Sequence, residues 1–87
     1  MNPYTGRYAV TFAIEIAREK SAFILSEYSR YFQTNDITTD DRQNPDVAKY
    51  WEMVHLRNKL LSCNSAEEVK EIDAVFDNAR EHIKKNL

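Results

Sequence analysis

The chain has 87 residues, a formal net charge of −2, and 43% hydrophobic and 30% charged residues, values typical of one folded domain and not of a disordered chain. A small negative net charge gives no general attraction to the phosphates of nucleic acids or of anionic lipids. One glycine and two prolines supply too few turn residues for a protein made of β-hairpins. These values therefore argue against an all-β fold and favour helices.

The cysteine content and the first residues of the chain indicate the compartment. Cys63 is the single cysteine, which excludes a disulfide within the chain and a metal site built from several thiolates. The opening residues MNPYTGRYAV lack the basic and apolar segments of a secretory signal, and no apolar run approaches the roughly 20 residues of a transmembrane helix. We therefore expect a soluble, cytoplasmic protein.

Residues 5–32 are predicted to form a long amphipathic helix, because apolar residues recur there at about 100° per residue. Ala13, Ala17 and Ser21 follow one another at intervals of four residues, so another helix could approach closely along this line of small side chains. The main apolar band comprises Val10, Ala13, Ile14, Ala17, Ile24, Leu25, Tyr28, Tyr31 and Phe32. Since the three aromatic residues of this band share its direction, we interpret them as core and not as a platform for stacking a ligand.

A second apolar group on the same helix, Phe12, Ile16 and Phe23, lies outside the main band. Lys20 separates the two groups on one side, and charged residues separate them on the other. A three-helix domain of this size normally covers only one face of such a helix. We therefore predict that Phe12, Ile16 and Phe23 bind a partner protein or a second copy of the chain.

Residues 33–44 are predicted to form an acidic loop. They have no apolar period and are rich in Asn, Asp and Thr, whose side chains compete for local backbone hydrogen bonds. The loop lacks the central glycine and terminal glutamate of a calcium-binding EF-hand loop, so we do not expect a metal there. We predict instead that Asp36, Asp40 and Asp41 face a basic surface of a partner.

A second helix is predicted over residues 45–62. Asn44 is a favourable N-cap, and Pro45 suits the first helical position because its missing N–H would have no intrahelical partner there. Asn58 falls inside the apolar stripe, where a buried amide would fix the packing register at a cost in stability. The stripe itself comprises Val47, Tyr50, Trp51, Val54 and Leu61, and Met53, Leu56 and Leu60 extend it to the side.

A third helix is predicted over residues 65–85. Ser65 and Glu68 form a capping box, in which each side chain accepts a hydrogen bond from a backbone N–H of the first turn. The apolar seam alternates in steps of three and four residues, as in two packed helices. It comprises Val69, Ile72, Phe76, Ala79 and Ile83.

No group of residues forms a recognisable catalytic, cofactor or metal site. Glu52 and His55 have the Glu-x-x-His spacing of di-iron helical bundles, but the chain contains one copy of this motif and both residues fall on the polar side of their helix. His82 and Cys63 have no sequence neighbours that complete an acid, base or nucleophile set. We interpret Cys63 as a small buried residue at a helix junction.

The sequence therefore predicts an all-α fold, a single domain of three helices in which the long first helix packs on an antiparallel hairpin of the other two. We expect a non-enzymatic regulator, adaptor or inhibitor that docks on another protein, forms a homodimer and needs no cofactor. The alternative is a DNA-binding transcriptional regulator that uses the second and third helices. The acidic first turn of the third helix argues against this alternative.

Overall fold

A computed structural model describes residues 7–87 as three helices, α1 (Arg7–Thr34), α2 (Pro45–Leu60) and α3 (Ala66–Asn86), without a strand in this range. The all-α prediction and its three helices are confirmed. The predicted start of the first helix at residue 5 lies outside the described residues. The observed ends of the helices otherwise differ from the predicted ones by at most two residues, which is the usual uncertainty of helix boundaries.

The long helix α1 is the element on which the other two helices pack. Its 28 residues span about 42 Å at 1.5 Å per residue, most of the 52 Å length of the molecule. α2 and α3 each make more extensive contact with α1 than with one another. None of the three helices, in the range that is described, is long and apolar enough to cross a membrane.

The core lies between the main apolar band of α1 and the facing sides of α2 and α3. On α1 the fully or almost fully buried residues form what we call the buried band: Ala17, Ser21, Ile24, Tyr28 and Phe32. The predicted seam of α3 is confirmed, since Val69, Ile72, Phe76, Ala79 and Ile83 are all buried. Tyr28, Phe32 and Tyr50 pack ring against ring, with centroids 5.6 to 6.5 Å apart. The interpretation of Tyr28 and Phe32 as core is therefore confirmed, and Tyr31 is partly buried against that core.

The predicted apolar stripe of α2 is partly wrong. Met53 and Leu60, which were placed at its side, are completely buried, whereas Leu61 is 73% exposed. Asn58 is also exposed, so its amide does not fix the packing register. The physical reason is that α1 and α3 contact α2 on the side that carries Met53 and Leu60 and not on the side that carries Leu61. Trp51, a member of the predicted stripe, is only half-buried at the edge of that contact.

The capping predictions for α2 and α3 are confirmed with one change of partner. The Asn44 side chain accepts a hydrogen bond of 2.9 Å from the Asp46 N–H, and the Ser65 hydroxyl accepts one of 3.3 Å from the Glu68 N–H. The Glu68 carboxylate accepts from the N–H of Asn64 at 3.2 Å, one residue earlier than a standard capping box requires. These local bonds fix where each helix begins.

The loop between α1 and α2 is held to the core by several contacts. Asp36 has a φ of 53°, a left-handed conformation that Asp adopts more readily than most residues. This turn lets the Ile37 N–H donate to the Phe32 carbonyl at 2.8 Å, the bond that closes a Schellman motif. Farther along, the Trp51 indole N–H donates to the Thr39 carbonyl at 2.8 Å. The loop therefore has a defined path over α2.

Candidate docking surface on α1

Three large apolar side chains remain exposed along one line of α1. Phe12 is 54% exposed, Ile16 is 39% exposed and Phe23 is 46% exposed. At 100° per residue they lie within roughly 40° of one another around the helix axis. We call these three residues the exposed stripe. All three lie on helix α1, and the described part of the chain leaves a large fraction of each side chain exposed.

One edge of the exposed stripe is formed by ion pairs between α1 and α3. The Lys20 ammonium lies 2.9 Å from the Asp73 carboxylate and 2.9 Å from that of Asp77. Its hydrogen bond to Asp73, and next in size of effect its hydrogen bond to Asp77, raise the pKa of Lys20. The guanidinium of Arg80 lies 5.9 Å from the Phe23 ring centroid, a favourable cation–π distance. Because its ion pairs hold Lys20 against α3, Lys20 lies between the exposed stripe and the buried band.

The other edge of the exposed stripe carries exposed charged side chains. Glu15, Arg18 and Glu19 are exposed on α1. Together with Ala22 and with Arg57 of α2, they line a shallow cleft of about 310 Å³. The stripe is thus an apolar strip with polar margins on both sides, an arrangement common in protein interfaces.

A cleft between α1 and the start of α3 adjoins the exposed stripe. Its volume is about 280 Å³. Ile16 belongs both to the stripe and to this cleft, so the two features form one continuous surface. The cleft is lined by Ala13, Ile16, Ala66, Glu67, Val69, Lys70 and Asp73.

The acidic loop lies away from this surface. Asp36, Asp40 and Asp41 are exposed, and the guanidinium of Arg42 stacks on the Trp51 ring at 4.7 Å from its centroid. The loop follows the last residue of α1, whereas Phe12 lies 22 positions earlier, about 33 Å along the helix. The structure therefore keeps the two surfaces predicted from the sequence apart, and they can serve as one contact site only for a large partner.

The remaining candidate residues do not assemble into a chemical site. Glu52 and His55 are exposed, and Glu52 pairs with Lys49 at 3.5 Å. His82 is also exposed. Among the described residues no three His, Cys, Asp or Glu side chains are close enough to hold a metal ion.

Cys63 has the environment of a structural residue. It is buried, and its sulfur lies 3.6 Å from the Lys59 carbonyl, to which the thiol donates. Burial, and to a smaller extent the charge of Glu68, raise the pKa of the thiol. A raised pKa lowers the fraction of reactive thiolate, so the interpretation of Cys63 as a buried junction residue is consistent with its surroundings.

Tyr28 has a feature that the sequence does not reveal. The side chain is completely buried, yet its hydroxyl forms no hydrogen bond with any described residue. Burial, followed by the charges of Asp46 and Glu52, raises the pKa of Tyr28 to about 12. The phenol therefore stays neutral at physiological pH and serves as a core residue.

The sequence did not predict the contribution of α3 to the surface beside the stripe. Asp73 lies 53 positions from Lys20, and Ala66 lies 50 positions from Ile16. Local patterns cannot relate residues that far apart. The position of the charged Lys20 between two apolar groups was the signal in the sequence that a carboxylate of another helix could lie opposite it.

Comparison with known proteins gives one result. The model of a protein family described as bacterial epsilon antitoxin matches residues 6–86. Neither a curated protein nor a solved structure gives a significant match. Because the family match covers nearly the whole chain, the protein belongs to the bacterial epsilon antitoxin family.

Proposed function

We propose that this member of the bacterial epsilon antitoxin family is a non-enzymatic inhibitor that neutralises a toxin protein by binding it through the exposed stripe of α1. The family match supports an antitoxin that acts by binding a partner protein. The choice of surface depends on one observation, the exposure of 39% to 54% of Phe12, Ile16 and Phe23. The complex would form in the cytoplasm, where the sequence predicts the protein to be.

The physical argument for this surface is the free energy gained when apolar area leaves water, about 25 cal/mol per Å². Aromatic side chains bury the largest areas and are frequent among the residues that dominate binding. The spacing of the three residues, four and then seven positions apart, suits a helix lying in an apolar groove of the partner. Because the buried band already holds α1 in place, little conformational entropy would be lost on binding.

The acidic loop would have a secondary role in this proposal. Asp36, Asp40 and Asp41 are exposed, and exposed charges far from the main contact mostly affect the rate of association with a partner of opposite charge. We therefore assign the loop to electrostatic steering toward a basic surface of the toxin. Duplex DNA binding by α2 and α3 stays an alternative prediction, and the exposed Glu67 and Glu68 in the first turn of α3 do not favour it.

The experiment compares a Phe12→Asp/Phe23→Asp variant with the wild type in binding to the cognate toxin, by calorimetry, and in rescue of cells that express that toxin. We expect affinity to fall by about 100-fold or more, since two aromatic anchors each commonly account for a tenfold effect or more. Leu61→Asp is the matched control, because Leu61 is even more exposed and lies in the turn after α2. Circular dichroism should show the same helix content in all three proteins.

The same variants separate toxin binding from self-association. The light-scattering mass of wild type and variant, measured at high and low protein concentration, reports whether the stripe holds a homodimer together. A variant that loses the dimer but binds the toxin as tightly as the wild type would show that the stripe serves a second copy of the chain. Unchanged affinity in the variant would in either case disprove toxin binding through the stripe.

A further inference from the structure

We infer that Arg80 of α3 is a positioning residue for the exposed stripe, because it holds the Phe23 ring in the orientation in which the toxin binds it. This inference rests on the proposed function, since it concerns the same surface and the same partner. The Arg80 guanidinium lies over the Phe23 ring, 5.9 Å from its centroid. Phe23 is still 46% exposed, so the ring is restrained from the side of α3 and remains accessible to a partner.

The contact with Arg80 matters because Phe23 could otherwise adopt more than one conformation. Two of the three staggered χ1 rotamers are common for an aromatic side chain on a helix. A guanidinium is attracted to the face of an aromatic ring and, being planar, can stack on it. Since Arg80 reaches Phe23 from another helix, the attraction favours the rotamer that keeps the ring against α3.

Arg80 is itself held in place from the side of α3. The preceding residues Phe76 and Ala79 are 0% and 1% exposed, so the backbone that carries Arg80 is fixed in the core. Nη1 of Arg80 lies 4.0 Å from Oδ1 of Asp77, and the same oxygen lies 2.9 Å from the Lys20 ammonium. A distance of 4.0 Å is too long for a hydrogen bond. Asp77 therefore attracts the guanidinium without removing it from the Phe23 ring.

These contacts link two pairs of residues across the two helices. Lys20 and Phe23 are three positions apart on α1, and Asp77 and Arg80 are three positions apart on α3, so the members of each pair are neighbours on one side of their helix. Lys20 binds Asp77, and Arg80 stacks on Phe23. The orientation of the Phe23 ring is thereby coupled to the packing of α3 on α1. The free protein can present this ring to a partner in one orientation.

An anchor that is already oriented binds more tightly than one that the partner must first order. When a partner fits only one rotamer, its affinity is reduced by the fraction of molecules that have that rotamer. Exchange of Phe23 between rotamers of similar energy would therefore weaken toxin binding by about two- to threefold. Arg80 contributes to affinity through Phe23 and needs no contact of its own with the toxin.

The first test measures the χ1 rotamers of Phe23 in the free full chain. Three-bond NMR couplings from the backbone N and carbonyl C atoms to the ring Cγ atom give the rotamer populations. We expect one rotamer in the wild type and an average of at least two in Arg80→Ala, because the stacking partner is lost. Equal rotamer populations in the wild type and in Arg80→Ala would overturn the inference.

Lys85→Ala is the matched control for this measurement. Lys85 is exposed on the same helix, and it lies five positions and about 140° around the helix from Arg80. The control removes the same charge from α3 and should leave Phe23 in one rotamer. A change in the Phe23 rotamers in Lys85→Ala as large as in Arg80→Ala would show that the charge of α3, and not the stacking, orders the ring.

The second test is a double-mutant cycle of toxin binding, measured by calorimetry. Arg80→Ala should weaken binding by about two- to threefold, and Lys85→Ala should leave the affinity unchanged. When Phe23→Ala is already present, adding Arg80→Ala should have no further effect, because Arg80 acts only through the ring. An equal loss in both backgrounds would overturn the inference, since Arg80 would then act independently of Phe23.

The proposed function and this inference fail in different ways. If Phe12→Asp/Phe23→Asp binds the toxin normally, the proposed function is wrong at this surface, and the role of Arg80 is wrong with it. If that variant loses the toxin while Arg80→Ala binds it as tightly as the wild type, the exposed stripe is the contact surface and Arg80 does not position it.

Discussion

The two apolar faces of α1 share the period of a helix, yet one is buried in the domain and the other is exposed. Ile24 and Tyr28 in the buried band are completely inaccessible, whereas the neighbouring Phe23 in the exposed stripe is 46% exposed. Both faces have the helical period that normally indicates a buried side. Apolar periodicity therefore shows that a face can be buried, and the positions of the other helices decide whether it is.

The size of the side chains helps to explain which face the domain uses for itself. The buried band contains Ala17 and Ser21, both fully buried, and small residues let another helix approach closely. The Ser21 hydroxyl donates to the Arg18 carbonyl at 2.7 Å, so its polar group is satisfied within the helix. The exposed stripe, Phe12, Ile16 and Phe23, contains no such small residue. Such a surface suits a partner that provides its own groove more than a tightly packed helix of the same domain.

The largest effect expected from this comparison is the difference between Ile24→Ala and Phe23→Ala. Ile24 is completely buried, so its truncation should lower the free energy of unfolding by about 2 to 5 kcal/mol through lost burial and a cavity. Truncation of the exposed Phe23 should cost less than about 1 kcal/mol. Urea unfolding of the two variants measures both values. Similar losses for the two variants would mean that the exposed stripe is buried in solution, for example by a second copy of the chain.

A smaller effect is expected from adding volume to the two sides of α1. Ala17→Leu inserts a large side chain where α1 is fully buried, and overpacking of this kind costs about 1 to 3 kcal/mol. Ala22→Leu makes the same change at an exposed position of the same helix and should alter stability by no more than about 0.5 kcal/mol. Thermal unfolding followed by circular dichroism gives the difference. Equal melting temperatures would contradict close packing along the small residues.

The smallest effect concerns Lys20, which lies between the two faces. Lys20→Met keeps most of the aliphatic chain and removes the ion pairs with Asp73 and Asp77. Because these groups are partly exposed, we expect a loss of no more than about 1 kcal/mol at low ionic strength, and less in 1 M salt. Urea unfolding at the two salt concentrations tests this. A loss that is independent of salt would show that packing, and not charge, is what the variant removes.

The stabilisation from the ion pairs of Lys20 with Asp73 and Asp77 should depend on pH in a defined direction. The pKa of folded Lys20 is raised above its ordinary value of 10.5, so its stabilising contribution is complete below that pH. The contribution is lost as the pH rises through the folded pKa, because only the charged form gains from the carboxylates. The stability difference between wild type and Lys20→Met should therefore shrink in alkaline solution. A constant difference up to the alkaline limit of folding would argue against the ion pairs as its source.

Much of the fold could be predicted because its signals are local. The start of α2 depends on Asn44 and Pro45, and the start of α3 depends on Ser65, through bonds that span two or three residues. The seam of α3 was predicted in full because its strict spacing leaves one choice of face. On α2 the aromatic and aliphatic residues surround more of the helix, so several faces were equally apolar. Only contact with α1 and α3 selected Met53 and Leu60 and left Leu61 outside.

For the candidate site, the sequence alone determined the exposed stripe, since Phe12, Ile16 and Phe23 fall on one line of an ideal helix and away from its main apolar band. The tertiary structure decided that these three side chains remain 39% to 54% exposed, that Lys20 is bonded to Asp73 of α3, and that Ala13 and Ala66 line a cleft beside them. The reason is geometric. The period of a helix is fixed by its own backbone, whereas contacts between residues 50 positions apart exist only after the helices have found their relative positions.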